Sequence, residues 1–432
     1  MKVKISGWGN TNIVDCKVYF PKNISEIRKI VKKNIIARGL GRSIGDSSIQ
    51  PNATIITSGL KKKLYFDKKN GIIEVESGIS IKDLLPQIMK HGWFLPVTPG
   101  SKNITVGGMV ASDVHGKNHH KVGSFRNFII QLKIINNSKK IILCNKNLNK
   151  DLFNFTIGGY GLTGIIYSCK FKLKKIKNDL IYQEKIKNNN LRETLRAFSA
   201  SKNWEYTVGW LDSSANNTQL GRSILYRGQH FEGKVVKSIN FNEKKNISIP
   251  NIFPSWFMNY YLIRLLNTLY YYFNSSKKGN VNIDNFFYPL DKINNWNVAY
   301  GKKGFIQYQF LIPKKNAYKI IKQILKLLLN KKIFSFTTVL KFMDKNDGYL
   351  SFGQKGFNLT FDFPINKSIY KTLDIIDKIV IENGGNIYLT KDSRVNKDNF
   401  KIMNKRFYST KYRKIRLKNN FFSSLQSKRL EI

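Results

Sequence analysis

Two glycine-rich stretches near the N-terminus hold the residues best suited to chemistry. The first is Ala37-Arg38-Gly39-Leu40-Gly41-Arg42-Ser43-Ile44-Gly45-Asp46. The second runs from Thr98-Pro99-Gly100 through Thr105-Val106-Gly107-Gly108 to Ser112-Asp113-Val114-His115-Gly116-Lys117. Each follows a β-like run and mixes glycine with small hydroxyl residues. Glycine lets the main chain approach a ligand closely and turn with φ > 0, so the pattern suits backbone amides gathered around a phosphate. The first stretch lacks the Gly-Lys-Ser/Thr ending of a nucleoside-triphosphate loop. Gly39, Gly41 and Gly45 also do not match Gly-x-Gly-x-x-Gly opening a long helix. A pyrophosphate held by amides from two separate turns fits both stretches; taken singly, either one also fits an ordinary tight turn.

Candidate reacting groups are sparse. His115 is one of five histidines, in the run Asp113-Val114-His115-Gly116-Lys117-Asn118-His119-His120, and suits either positioning a reacting hydroxyl or a purely structural role. Lys391 stands in Tyr388-Leu389-Thr390-Lys391-Asp392-Ser393-Arg394; by itself it reads equally as a solvated surface lysine. Gln307 and Gln309 fall on one face of a predicted strand, which allows a shared pocket. Cys16, Cys144 and Cys169 are few and widely spaced, so neither a disulfide framework nor a metal site is indicated.

The elements that must position these groups read as an α+β pattern. A helix begins near Ile24, strands follow at 34–37 and 53–57, and Ile72 to Glu76 alternates like a half-buried strand. Ser80 is a predicted N-cap for a helix reaching Lys90, which Gly92 stops. Strands near 128–135, 140–143 and 167–173 bracket a third glycine cluster, Gly158-Gly159-Tyr160-Gly161-Leu162-Thr163-Gly164-Ile165-Ile166. After a lysine-rich stretch the texture changes, with a strand over 305–312, a helix over 317–330 and an alternating run over 358–363. The expected division is 1–178, 179–385 and 386–432. Residues 251–273 are rich in Leu, Tyr and Phe, but Asn259, Arg264 and Asn267 interrupt them. That argues against a membrane span and leaves an interfacial segment or an aromatic core helix.

The 432 residues carry a formal net charge of +47. Such a charge invites a polyanion, yet the basic residues are mostly Lys, spread along the chain with abundant Asn and Ile. Those types share AT-rich codons, so a biased genome explains them without a nucleic-acid partner; a basic nucleic-acid-binding protein that stacks bases on its aromatics is the alternative from another class. The first ten residues lack an apolar signal region, so the expected location is cytoplasmic or peripheral at the inner-membrane face.

The glycine motifs, with Gly161-Leu162-Thr163-Gly164-Ile165, resemble the FAD-binding half of the vanillyl-alcohol-oxidase (PCMH-type) family. The run from His115 to His120, Gly304-Phe305-Ile306-Gln307-Tyr308-Gln309-Phe310, Asn295-Trp296-Asn297-Val298-Ala299-Tyr300-Gly301, the Lys391 cluster and the closing Lys428-Arg429-Leu430-Glu431 resemble one subfamily. It comprises the flavin oxidase subunits of decaprenylphosphoryl-β-D-ribose 2′-epimerases. The resemblance implies a two-subdomain PCMH-type FAD-binding domain, completed by the tail, and a substrate cap domain with a mixed or antiparallel sheet flanked by helices. It implies FAD lined by residues 36–46, Gly100, Thr105, Val106, Gly107, Gly108, Ser112, Asp113, Val114, His115, Ile166 and Tyr388. Arg42 stands where many relatives carry the histidine that bonds the flavin, which implies noncovalent FAD.

Lys391 would stabilise negative charge at the flavin pyrimidine edge, and His115 would position the reacting hydroxyl. Lys117, Tyr288, Gln307, Gln309, Lys341, Asn358 and Thr360 match substrate-pocket positions. The implied reaction oxidises the 2′-hydroxyl of a polyprenyl-phosphoryl ribose, the C2′ hydride passing to the flavin. A separate NAD(P)H-dependent short-chain reductase would complete an epimerisation to the arabinose donor for cell-envelope glycan. An oxidase of a free sugar alcohol or aldonolactone is the alternative within the broad family. The chain departs from the subfamily at Ile44 and Met343, where aromatics are usual, and at Thr360, where mycobacterial members carry cysteine. These changes bear on the substrate rather than on the flavin machinery.

Overall fold

The computed structural model describes residues 1–233, 247–250, 252–409 and 421–432. Local signals written in the sequence set its first half. Ser80 Oγ accepts the Asp83 amide at 3.0 Å and caps the helix Ile81–Met89, while Gly92, at φ +75°, turns the chain out of it. The buried side of that helix joins Ile73, Val75, Phe171 and Cys169 in one core. These residues come from a five-stranded antiparallel sheet in the order Lys63–Asp67, Ile72–Glu76, Ile165–Lys172, Ile129–Ile135, Ile141–Asn145. A four-stranded sheet lies before it in sequence, ordered Lys2–Ile5, Val14–Tyr19, Thr54–Ile56, Ile36–Arg38. Its last three strands are parallel, so the chain leaves Ile36–Arg38 directly into the first glycine stretch.

The middle of the chain forms one eight-stranded sheet. Its order is Lys277–Asn282, Leu180–Asn188, Ser223–His230, Tyr206–Leu211, Val339–Met343, Gly356–Pro364, Phe305–Pro313, Asn386–Ile387. Every pairing in it is antiparallel. Period-two alternation divides its faces. Phe310, Ile312, Leu359 and Phe361 point to the helices Ala317–Asn330 and Lys367–Glu382, which bury Ile320, Ile324, Leu328, Leu373 and Val380 against them. The opposite face carries Gln307, Gln309 and Leu311, paired in register with Asp362, Thr360 and Asn358. The apolar face packs on the helices, and the face carrying Gln307 and Gln309 is left for a ligand.

The tail returns to the N-terminal half. Phe422 bridges Ile35, and Gln50 Nε2 donates to Ser423 O at 3.0 Å and to Ser423 Oγ at 2.8 Å. Within residues 251–273 the chain forms an amphipathic helix with one buried and one exposed side. Asn251 itself lies outside the described residues, but the helix Tyr260–Phe273, capped by Asn259, buries Ile263, Asn267 and Tyr271 and exposes its other side. Among the described residues no helix is long and apolar enough to cross a membrane. Because Phe310 is fully buried between sheet and helices, Phe310→Ala is expected to cost about 3–5 kcal/mol. A markedly lower urea midpoint would show it; an unchanged midpoint would contradict the packing described.

Candidate active site

The two glycine stretches meet in space. A Cβ on Gly39 would overlap the Thr105 side chain, and one on Gly107 would stand 2.8 Å from Ser77 Cβ. Together with Tyr160, Gly161, Gly164 and Ile166 of the third cluster they wall a cavity of about 580 Å³. Among the described residues, the amides of Leu40, Gly41, Arg42 and Ser43 donate to no acceptor within the chain. Gly41 sits at φ +66° with the Arg38 guanidinium against it, so a side chain there meets both strain and overlap. Arg42 lies 3.7 Å above the Trp8 ring centre and lines the cavity, and its Nε is buried without a partner. Unpartnered donors along a glycine wall make an anion receptor.

The second stretch is fixed by its own side chains. Thr105 Oγ1 accepts the Gly108 amide at 3.2 Å, and Ser101 Oγ donates to Asp291 at 2.7 Å. The latter contact ties the cofactor half to the middle of the chain. Gly100, Thr105, Gly107, Gly108, Ser112, Val114 and His115 all line the cavity, as do Ala37, Gly39, Leu40, Gly41, Arg42, Ser43 and Ile44.

At the far end the polar face of the eight-stranded sheet supplies Gln307, Gln309, Lys341 and Thr360, and the tail supplies Tyr388 and Lys391. Register explains their convergence: Gln309, Thr360 and Val339 are cross-strand neighbours, as are Lys341 and Asn358. Gln309 Nε2 lies 2.9 Å from His115 Nε2 and donates to it, which leaves the ring proton on Nδ1. The Tyr388 ring centre is 5.4 Å from that of His115, and Tyr388 OH donates to Ser112 O at 3.0 Å. Gln307 Nε2 donates to Asp362 at 2.6 Å, and Thr337 Oγ1 donates to the same carboxylate.

The electrostatics of this end are lopsided. Burial lowers Lys391 to about 8, partly offset by Asp362. Burial and Lys391 bring Lys341 to about 8, and burial with Lys341 brings Lys117 to about 7. Asp362, desolvated, rises to about 6 despite bonds from Thr337 and Gln307 and the charge of Lys391. His115 is held well below its usual value by burial, then by Lys341, His119 and Lys391, and is neutral. Lys341 and Lys391 line this end, and Asp362 is the carboxylate coupled to Lys391, so an anionic ligand or an anionic reduced state is favoured there.

Several sequence candidates stand behind this wall rather than in it. Asp46 is 3% exposed and receives Arg429 Nη2 at 2.9 Å, so its carboxylate is already engaged. Gly45 abuts the Asp392 carbonyl, and Arg38 donates to Ser6 O at 2.7 Å. Val106 is core. Asp113, at φ +40°, accepts from Arg126 and Ser351 and from Asn346 at 3.0 Å. Lys117 Nζ donates to Phe286 O beneath the Phe286 ring. Tyr288 OH shares a 2.6 Å hydrogen bond with Thr98 Oγ1, and Asn358 Nδ2 rests 3.1 Å from Met343 Sδ. Sequence reading missed Trp8, Asp362 and the reach of Arg429. Only Asp362 had a signal, two residues past Thr360 on the same strand face.

A family model described as an FAD binding domain matches residues 17–145. The decaprenylphosphoryl-β-D-ribose oxidase of Mycolicibacterium smegmatis is 31% identical over 419 residues, covering 93% of this chain and 91% of that protein. Mouse L-gulonolactone oxidase is 22% identical over 271 residues, 61% of this chain and 57% of its own length. The D-lactate dehydrogenase of Anaerostipes hadrus is 30% identical over 134 residues, 30% of this chain and 28% of its own. Fold, cavity and matches together define an α+β flavoprotein oxidoreductase with a PCMH-type FAD-binding domain. Within that class the chain belongs to the decaprenylphosphoryl-β-D-ribose oxidase family. The cavity fits FAD on its own terms, since the unpartnered amides of Leu40 to Ser43 and the buried Arg42 Nε meet the demands of a pyrophosphate.

Arg429 links two of the cavity's walls through Asp46 and Asp392, both nearly fully buried. Arg429→Met strands those carboxylates and is expected to cost about 3–5 kcal/mol, together with weaker FAD retention during gel filtration. Retention and thermal stability equal to the parent chain would contradict the linkage.

Proposed function

We propose that this protein uses FAD to oxidise the 2′-hydroxyl of a polyprenyl-phosphoryl-β-D-ribose to the 2′-keto sugar. The observation that carries the reading is the cluster at the closed end of the cavity: Lys391 beside Lys341, with Asp362 behind Gln307. It is supported by a relative similar over nearly the whole chain whose name gives that substrate. FAD, when bound, would accept the hydride of the C2′–H bond, while the hydroxyl proton would leave to a nearby base or water.

The chain's own residues do the rest. The amides of Leu40 to Ser43 and the guanidinium of Arg42 would hold the pyrophosphate. Arg42 has no nucleophilic nitrogen to give, so the flavin is held noncovalently. Lys391, protonated below about pH 8, would hold a positive charge toward the flavin and offset the negative charge that its reduction would bring. Gln307, fixed by Asp362, and Gln309, fixed on His115, orient the sugar. His115, neutral, adds a hydrogen-bonding edge without adding charge. Thr360 and Lys341 complete the substrate wall, with Lys117, Tyr288 and Asn358 supporting it from behind.

The division of labour follows: residues 1–178 bind FAD, 179–385 cover it, and 386–432 bring Lys391 back. A polyprenyl substrate puts the protein at a membrane surface as a peripheral enzyme. Its keto product calls for an NAD(P)H-dependent short-chain reductase as partner.

Anaerobic flavin bleaching tests the reading. A prenyl-phosphoryl ribose is expected to bleach the bound flavin, and Lys391→Ala to slow bleaching by about 10²-fold or more with FAD content unchanged. In the parent chain the rate should fall as pH rises past about 8, where Lys391 loses its proton. Bleaching only by free sugars or aldonolactones would contradict the substrate, and a colourless protein would contradict the whole reading.

A further inference from the structure

Away from the cavity, one helix shows two unlike faces. Ile263, Asn267 and Tyr271 seat the helix Tyr260–Phe273 on the protein, and Asn267 Nδ2 donates to Ser214 Oγ and Ser335 O, each at 3.2 Å. Its other face carries Tyr261, Leu265, Leu269 and Tyr272, which are 77%, 54%, 40% and 59% exposed. Their spacing of i, i+4, i+8 and i+11 makes one continuous apolar stripe. Trp256 before the helix and Phe273 at its end are exposed as well. No Asp or Glu occurs between Ile252 and Asn282.

A second cleft adjoins this helix. Arg192, Arg264, Lys322 and Lys326 line it, along with Tyr260 and Tyr318, and it holds no acidic side chain. The Arg192 guanidinium and the Lys322 ammonium stand 5.4 and 5.7 Å from the Tyr318 ring centre. Among the described residues, none of the four cations meets a carboxylate within 4.0 Å. The helix is also joined to the FAD cavity: Ile263 and Met258 share a buried cluster with Ile44, which lines that cavity.

We infer that this face docks on an anionic lipid bilayer, the stripe entering the headgroup boundary and the basic cleft receiving lipid phosphates. The assignment rests on the membrane-surface reading above and gives it a place on the molecule. An exposed apolar stripe alone suits a second copy of the chain equally well. Four unbalanced cations beside it repel such a copy and attract anionic headgroups, and that charge decides between them. The docked stripe would hold the cavity wall at Ile44 close to the bilayer that carries the substrate's prenyl tail.

Sedimentation of the FAD-loaded full chain with vesicles of phosphatidylcholine, with or without phosphatidylglycerol, tests the assignment. The parent chain is expected to partition onto the anionic vesicles and not the neutral ones. Leu265→Glu/Leu269→Glu and, separately, Arg264→Gln/Lys322→Gln/Lys326→Gln should each weaken partition about tenfold or more. Flavin absorbance in both variants reports that they fold. Partition that ignores phosphatidylglycerol, or survives both sets of substitutions, would overturn the assignment. So would a dimer in light scattering that Leu265→Glu/Leu269→Glu dissociates, since that gives the face to a second copy. Bleaching by a water-soluble short-chain substrate reads the catalytic proposal separately, so vesicle binding without bleaching would sink that proposal and leave the docking face standing.

Discussion

The ion-paired junction of Asp46, Arg429 and Asp392 is the constraint on which the site depends. Arg429 donates to Asp46 at 2.9 Å and to Asp392 at 3.0 Å, and its remaining reach ends on the Val395 carbonyl. Asp46 closes the first glycine stretch, and Asp392 follows Lys391 directly. One side chain near the C-terminus therefore ties the first glycine stretch to the segment that carries Lys391. The Ile44 amide, donating to Thr390 O at 3.2 Å, repeats the link through the backbone. Burial of two carboxylates on one guanidinium is costly unless every partner is present. Such a joint holds geometry at the expense of tolerance to change.

With that geometry fixed, charge does the remaining work. Lys341 and Lys391, drawn out of water with Asp362 as the carboxylate coupled to Lys391, leave an excess of positive potential at that end of the cavity. The eight-stranded sheet makes this affordable because its other face packs on a large apolar core under two helices. A rigid platform keeps Gln307, Gln309, Lys341 and Thr360 in rows along one end of the cavity.

Much of this was legible in the sequence. Helix caps, strand alternation and the glycine stretches are local signals, and Ser80, Gly92 and Gln307 with Gln309 behave as their neighbours dictate. The α+β class followed from the pattern of helices and strands, and FAD from the resemblance that the glycine motifs carry. What local reading could not reach was which partner a buried charge would choose. Asp46 reads as part of a cofactor loop until Arg429, nearly four hundred residues later, takes its carboxylate. Lys117 reads as a substrate-pocket position until the Phe286 and Phe287 rings cover it behind the cavity wall. Trp8 gave no signal at all, because its role is a ring face presented to Arg42 across a long loop. The basic charge, prominent in composition, matters less as a total than as a few unpaired positions.

The central claim is that a protonated Lys391, tuned by Asp362, carries the charge of the reacting end. The most direct measurement is the pH profile of anaerobic flavin reduction in Asp362→Asn beside the parent chain. Loss of the carboxylate removes the one neighbour that raises Lys391, so the descending limb should move to lower pH while FAD content is unchanged. An identical limb in both proteins would contradict the account.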